Sequence, residues 1–451
     1  MFLEKIKIFS KFKKHNQSFF SNRFRSNSTI LVEFNDFKSS HIPISYLSNF
    51  LSKKFKANIV GYYNYYLIVS SLKLNIKKKM KWFISNLLSL NNFGIYKSFG
   101  CKQIIKPQIK NYIYFKYKRI NTKPDILNIC FDNILVGDLI YDTYLKKFNK
   151  PTVDLNDKKI YELIDDFYNL YLYWKKYFNE NKVKSVIGVH TPYSFGLILR
   201  LAVKKNIPTF VTSNRFLYRL DKKMQFMHGN FTNYKNIFKK IRPNLREKAK
   251  NISKTKLLLR FSGIGGAKTD LITSQNSSFT NKKFGKKLIK NSKRIKILIA
   301  PHDFFDAAHV WGKNFFVDFY EWLTYLGKIS EKTNYDWYLK NRPNHPGKFK
   351  IYQPHTNRVL KLFVKKFNKI KMLPNNYSHN QIISEGIDFV LTSHGSVGLE
   401  YAHFKIPVIN ATNNNPHINY NFNINPRDIK HYKYILNHLY KYKKFKKKIK
   451  L

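Results

Sequence analysis

The chain has 451 residues, enough for two or three domains at roughly 150 residues each, and its 43% hydrophobic and 17% aromatic content excludes a disordered polymer. Lys+Arg 83 against Asp+Glu 26 gives a formal net charge of +57, which points to an anionic membrane or another polyanion. Lysine, however, is also accumulated together with Asn, Ile, Phe and Tyr by A+T-rich coding. No zinc knuckle, RNP signature or helix-turn-helix pattern accompanies the charge, so no specific nucleic-acid partner is expected.

In chain order, residues 1–28 form a basic arm. Charges at Glu4, Lys5 and Lys7 interrupt the apolar core that a signal peptide needs. Phe2, Leu3, Ile6, Phe9 and Phe12 can share one face of a surface-lying helix. Residues 29–220 begin with a βαβ pattern, "STILVEFNDF", "ISYLSNFLSKKF" and "ANIVGYYNYY", and repeat it at "VKSVIGVHTPYSFGLILRLAVKKNIPTFVTS". Such alternation predicts a parallel sheet covered by helices. Cys101 and Cys130 lack CxxC spacing, so neither a disulfide framework nor a cysteine metal site is expected, and a reducing compartment fits.

The rhythm lapses over 221–292, a Lys-, Asn- and Ser-rich stretch read as a connection. It resumes over 293–430 with the strand "KRIKILIAP", the helix "NFFVDFYEWLTYLGKISEKT", the strand "DWYLKNRP", a helix within "HTNRVLKLFVKKF" and the strand "IDFVLTS". Residues 431–451, ending in "KYKKFKKKIKL", read as a basic helix or tail, solvated or membrane-facing. No run of about 18 apolar residues predicts a membrane span. The fold class expected is α/β, two doubly wound Rossmann-like domains, with chemistry on the loops that follow strands.

Three such loops concentrate reactive groups in 293–430. After "IDFVLTS", Ser393, His394, Gly395 and Ser396 turn into a helix whose first amides lack internal acceptors, a ready phosphate site; Gly395 and Gly398 allow close backbone approach. A capped helix in an ordinary βαβ unit would show the same spacing. The loop "YLKNRPNHPGK" leaves its strand with Lys340, Arg342 and His345, a set that a solvated basic turn would also show. The loop "APHDFFDAAHVWG" holds His302, Asp303, Asp306 and His309, where Asp303 or Asp306 can take a proton from an acceptor hydroxyl and His302 can contact phosphate. Its spacing matches no metal motif, so no metal is expected.

"TSHGSVGLEYAHFKIPVIN" resembles the S-x-x-x-E-x-x-x-x-x-x-P-V-I signature of the capsule polysaccharide biosynthesis family, which includes Kdo-transferase-like and CDP-glycerol glycerophosphotransferase-like enzymes of GT-B fold. The resemblance implies two Rossmann-like domains facing a cleft, with 29–220 binding the acceptor and 293–430 the nucleotide donor. It places the donor phosphate at Ser393, Gly395 and Ser396, puts Glu400 near the nucleotide ribose and starts the next strand at Pro407. The family's K-x-H-P element corresponds to Lys340 through Pro343, with Arg342 in the histidine position and a separate His345-Pro346 beyond it. An arginine keeps the phosphate fork but cannot shuttle a proton, so that loop is assigned to binding.

Weaker likenesses place Asp138, Asp142, His190 and Tyr193 near an acceptor, and Pro416, His417 and Tyr420 near the donor. The resemblance as a whole implies a glycosyltransferase that uses a nucleotide-sugar donor as substrate and no cofactor. Its acceptor would be a surface glycan or lipid-linked glycan. Its location would be cytoplasmic, peripheral on the inner face of the plasma membrane. Two alternatives share these loops: transfer of a polyol phosphate, and a non-catalytic polyanion-binding protein on a degenerate transferase scaffold.

Overall fold

The computed structural model describes residues 2–20, 24, 26–35, 37–64, 92–109, 111–116, 119–213, 216–226, 231–264, 278–280, 284–312, 314–342, 353–412 and 414–448. The chain divides into two compact units, residues 1–148 with 153–229, and residues 149–152 with 230–451.

In the first unit the strands are β1 (Ser28–Phe34), β2 (Asn58–Tyr63), β3 (Cys101–Ile105), a small antiparallel pair β4 (Cys130–Phe131) and β5 (Ile134–Leu135), then β6 (Lys182–Gly188), β7 (Thr209–Ser213) and β8 (Phe216–Leu220). The main sheet runs β3-β2-β1-β6-β7-β8, parallel except for β8, which folds back on β7. Burial on both faces explains the near-continuous apolar runs of these strands. Leu31 and Val60 face one helical layer with Phe167, Trp174 and Leu197. Their neighbours Ile30, Val32 and Ile59 face the other layer with Ile44, Leu51 and Tyr96. Each fully buried side chain of this size contributes about 1.5–3 kcal/mol.

The N-terminal arm is a helix, Phe2–Phe19, and it is spoken for by protein. Phe9 and Phe12 pack against the Ile30–Val32 core, and the fully buried Asn16 donates Nδ2 to Ser98 Oγ at 3.0 Å. The apolar face read as membrane-seeking thus covers the sheet at those two residues.

In the second unit β9 (Lys296–Ile299), β10 (Asp336–Lys340), β11 (Ile370–Leu373), β12 (Phe389–Thr392) and β13 (Val408–Asn410) form one all-parallel sheet in the order β11-β10-β9-β12-β13. Ile297 and Ile299 face a core with Trp322, Leu326 and Phe363. Leu298 and Tyr338 face the other with Tyr377 and Tyr401. Phe279 and Ile289, from the stretch read as a connection, are buried in that second core. Much of the region read as a tail is buried in the first of these cores: Tyr432, Ile435, Leu436 and Leu439 have no exposed surface and close over the Trp322 side. Their i, i+3, i+4, i+7 spacing makes one apolar stripe, and Asp428 caps the helix Ile429–Asn437 through the His431 amide.

Among the described residues no helix is long and apolar enough to cross a membrane. No cluster of three His, Cys, Asp or Glu side chains among them is placed to hold a metal ion.

Candidate functional site

Strand order decides where the second unit can bind a ligand. β9 is flanked by β10, its successor in the chain, and by β12, so the loops leaving β9 and β12 part toward opposite faces. In open α/β sheets that switch point is where a crevice opens at the carboxyl edge. The three loops singled out in the sequence all leave this edge, and side chains tie them together.

His302, just beyond β9, stacks on Phe319 with ring centroids 4.7 Å apart and lies 4.4 Å from the His394 ring. The amide of His394 donates to His302 Nε2 at 3.4 Å, and the Thr392 hydroxyl lies at the same distance from it. Nε2 therefore acts as an acceptor, which places the proton of the neutral ring on Nδ1. Burial supports the neutral form by pushing the His302 pKa down to about 4, against the opposing pull of Asp306 and Asp303. His394 and His417 are likewise held below the usual histidine range, chiefly by burial. At neutral pH these rings are uncharged, and cationic contact with phosphate falls to other groups.

Thr392, which sequence reasoning passed over, shapes the turn: its hydroxyl accepts from the Gly395 amide at 3.2 Å. A Cβ on Gly395 would lie 2.8 Å from that hydroxyl and 3.5 Å from His302 Nε2, so the glycine makes room for both. Ser396, at the start of the helix Val397–His403, is exposed and makes no capping bond with its side chain. Among the described residues, the Ser396 and Val397 amides donate to no protein acceptor. Ser393 is different: it is buried, with its hydroxyl 3.4 Å from His394 Nδ1. The phosphate turn is thus offered by Ser396 and the amides of 396–397.

Glu400 does not point into this turn's surroundings as an available carboxylate. It is buried and its Oε1 lies 2.6 Å from Arg260 Nη2. Arg260 closes the helix Pro243–Phe261, and Phe261 beside it packs between Phe279 and Phe404. The expected ribose contact therefore meets a glutamate already engaged in anchoring a helix. Gly398 serves packing too, since a Cβ there would meet His417 and Asn423 at 2.6 and 2.7 Å.

The β10 loop brings the charge. Arg342 Nη1 pairs with Asp303 Oδ2, joining the β10 and β9 loops. Asp303 is buried, so its carboxylate holds the guanidinium; Asp306, three residues on, is exposed. Lys340, the last residue of β10, is only 2% exposed, and among the described residues its Nζ reaches the carbonyls of Asn341 at 3.3 Å and Asn375 at 3.4 Å. No carboxylate among the described residues faces it, and burial pushes its pKa down to about 8. His345, with Pro346, lies outside the described residues. From the β13 side, His417 Nε2 lies 3.3 Å from the Gly395 carbonyl, placing that loop against the turn. Asn415 and Asn423 of the same loop are buried with it, and the His417 amide donates to Asn415 Oδ1 at 2.9 Å.

In the first unit, Asp138 and Arg200 form a buried pair at 2.6 Å, which explains Asp138 as structural. Asp142 is buried in the same helix. His190 and Tyr193 do sit on the loop after β6, at the carboxyl edge of the first sheet.

No family model matches the chain, and no curated protein sequence does. Among solved structures, it is similar to UDP-GlcNAc 2-epimerase from Neisseria meningitidis bound to UDP-GlcNAc, at 10% identity over 94% of each chain with a TM-score of 0.26. The UDP-GlcNAc 2-epimerase of Methanocaldococcus jannaschii in complex with UDP-GlcNAc and UDP aligns at 12% identity over 91% of this chain and 92% of that one, TM-score 0.27. A glycosyltransferase from Rickettsia africae ESF-5 aligns at 14% identity over 95% and 91%, TM-score 0.25. At such identities and scores the likeness assigns no activity; the strand pairing itself establishes an α/β chain with a doubly wound, mainly parallel sheet in each unit.

Proposed function

We propose that this chain is a GT-B-like glycosyltransferase that moves a sugar from a nucleotide-activated donor to a growing surface glycan or lipid-linked acceptor. The observation that carries the reading is Lys340. A buried ammonium whose only contacts among the described residues are two long ones to carbonyls is costly, and it sits at the carboxyl edge beside a switch point. An anionic ligand group, such as a donor phosphate, would satisfy it.

In this reading Lys340 and Arg342 attract the diphosphate, with the hydroxyl of Ser396 and the amides of 396–397 completing the contact. Asp303 orients Arg342, and His302 fixes the turn through the His394 amide. Exposed Asp306 is left to accept the proton of the acceptor hydroxyl. The acceptor oxygen then bonds to the anomeric carbon, the bond from that carbon to phosphate oxygen breaks, and the nucleotide leaves with the electron pair. Incubation with CMP-, UDP-, GDP- and CDP-linked donors, followed by mass spectrometry of released nucleotide, tests the reading. One donor class is expected to bind and to bind at least tenfold more weakly to Ser396→Ala; absence of binding by every donor would overturn it.

A membrane-linked acceptor is supported by the helix Pro243–Phe261, which buries none of its residues. Leu245 and Ile252 are 49% and 45% exposed and share a face with Ala249. Arg246 and Lys248 flank that stripe, and Lys256 continues it one turn beyond Ile252. Such a surface suits an anionic bilayer, each cation near it contributing about 1 kcal/mol. Cosedimentation with phosphatidylglycerol vesicles is expected to exceed that with phosphatidylcholine vesicles. It should weaken at least tenfold in Leu245→Ser/Ile252→Ser; equal binding by this variant would remove the helix from the membrane contact.

A further inference from the structure

The helix Lys38–Phe55 is apolar on two sides. Ile44 and Leu51 are buried in the Ile30–Val32 core, with Leu47 and Phe55 packed against it. On the other side Ile42, Tyr46 and Phe50, spaced at i, i+4 and i+8, are 57%, 41% and 67% exposed. A surface helix ordinarily turns charge outward, and one that is apolar all round is ordinarily covered. The N-terminal helix Phe2–Phe19 widens the stripe. Phe19 is 61% exposed, with its ring 5.6 Å from that of Tyr46, and Phe20 meets Tyr46 edge-on at 5.1 Å. His15 stacks on Phe19 at 5.4 Å, and its Nε2 lies 2.8 Å from the Tyr46 hydroxyl oxygen. The two helices thus hold their outward rings in one continuous aromatic surface.

Charge decides what covers it. Residues 15–20 and 39–52 contain no Asp, Glu, Lys or Arg, in a chain with 83 Lys and Arg. Exposed helical positions elsewhere are filled with lysine, as at Lys361, Lys365 and Lys366 of the helix Gln353–Lys366. A surface that meets an anionic bilayer interleaves cations with its apolar residues. Here Lys53 and Lys54 come only in the last turn, past the aromatic stripe. A second copy of the same chain imposes the reverse requirement. Two molecules of charge +57 repel one another, and like charges brought face to face across an interface cost several kcal/mol. They meet at least cost through a face without cations.

We infer that two copies of this chain pair through Phe19 and the stripe Ile42, Tyr46 and Phe50, in an isologous two-fold dimer. In the antiparallel arrangement Tyr46 lies at the axis and Ile42 packs against Phe50 of the second copy, since both stand one helical turn from Tyr46. The four side chains expose roughly 350–550 Å² at about 150–250 Å² for a whole large side chain, a size at which an exposed patch often marks an interaction site. Pairing covers that area on each copy, roughly 700–1,100 Å² in all before any neighbouring residue is included, against the roughly 1,200 Å² at which stable interfaces begin. Nothing in this pairing requires transferase chemistry.

Sedimentation velocity of the full chain at micromolar concentration, in about 0.05 and 0.5 M NaCl, tests it. A dimer is expected, at least threefold tighter at the higher salt, because screening relieves the repulsion between copies and leaves an uncharged contact intact. Ile42→Ser/Phe50→Ser, two exposed positions whose change should leave the circular dichroism spectrum as it is, should weaken dimerisation at least tenfold. Phe50→Lys should do the same, and Ile42→Glu/Phe50→Lys, which sets opposite charges across the axis, should dimerise more tightly than Phe50→Lys; equal dimerisation by those two would overturn the antiparallel register. A parent that stays monomeric at both salts, or unchanged dimerisation in the serine variant, overturns the inference. Cosedimentation with phosphatidylglycerol vesicles is measured on the same samples: it should be unchanged in the serine variant, and its loss there would assign the face to the bilayer and overturn the pairing.

Discussion

Lys340→Met is expected to weaken nucleotide binding by about 30- to 100-fold while stabilising the ligand-free protein. A hydrogen bond to a charged group contributes about 1.5–3 kcal/mol, and each 1.4 kcal/mol is roughly tenfold in affinity. Without ligand the same ammonium is a liability. Its pKa is lowered from the ordinary 10.5 to about 8 by burial, a difference of up to about 3 kcal/mol between the two protonation states. Because the folded-state value is depressed, the unfolded chain binds more protons between about pH 8 and 10.5, and the ligand-free protein gains stability across that window. Methionine, of similar volume and uncharged, removes both the cost and the pH slope. Nucleotide affinity, which needs the ammonium, should fall as pH rises through about 8 in the parent protein and stay flat in the variant. Calorimetric titration and thermal melts between pH 7 and 10 read both effects; a variant that binds nucleotide normally would take Lys340 out of the phosphate site.

Glu400→Ala should cost about 3–5 kcal/mol of stability, the penalty for leaving a buried partner charge uncompensated. Arg260 and Glu400 side chains are 13% and 4% exposed, so solvent does little to screen the pair. The double variant Arg260→Met/Glu400→Leu should recover most of the loss, since two apolar groups of similar size leave no orphan. Urea unfolding of the four proteins completes the cycle. Full stability in Glu400→Ala would mean that the pair does not hold the helix Pro243–Phe261 in place. The same result would return Glu400 to the ribose role that the family resemblance implies.

These two residues show what sequence could and could not say. Lys340 was legible through the K-x-H-P element of the family resemblance, whose lysine ends a strand on the edge where ligands bind in α/β sheets. The alternation of "KRIKILIAP", "DWYLKNRP" and "IDFVLTS" with helices announced that sheet before any coordinate. Arg260 left no such trace: its partner is far along the chain, and it sits in a lysine-rich stretch where one more cation carries no signal. Thr392 was hidden for another reason, since a hydroxyl at a strand end reads as ordinary strand composition, and only geometry turns it toward the Gly395 amide. Glu33 lay within "STILVEF", read only as part of a β-run, and its burial follows from a sheet covered on both sides, where neither face is wet. In the terminal segments the stripe Tyr432, Ile435, Leu436 and Leu439 was present in the sequence, but the surrounding lysines drew attention to the solvated side of the same helix.

The central position of β1 and β9 bears on how the chain is made. Each is the first strand of its sheet to leave the ribosome, and each must wait for a distant strand, β6 or β12, to cover its second edge. During synthesis a growing chain therefore carries an open, hydrophobic strand edge for a long stretch of translation, the state most prone to pairing with a neighbour on the same message. A net charge of +57 makes two such nascent chains repel one another. The lysines that obscure the chain's chemistry are thus well suited to keeping half-made copies apart until the late strands arrive.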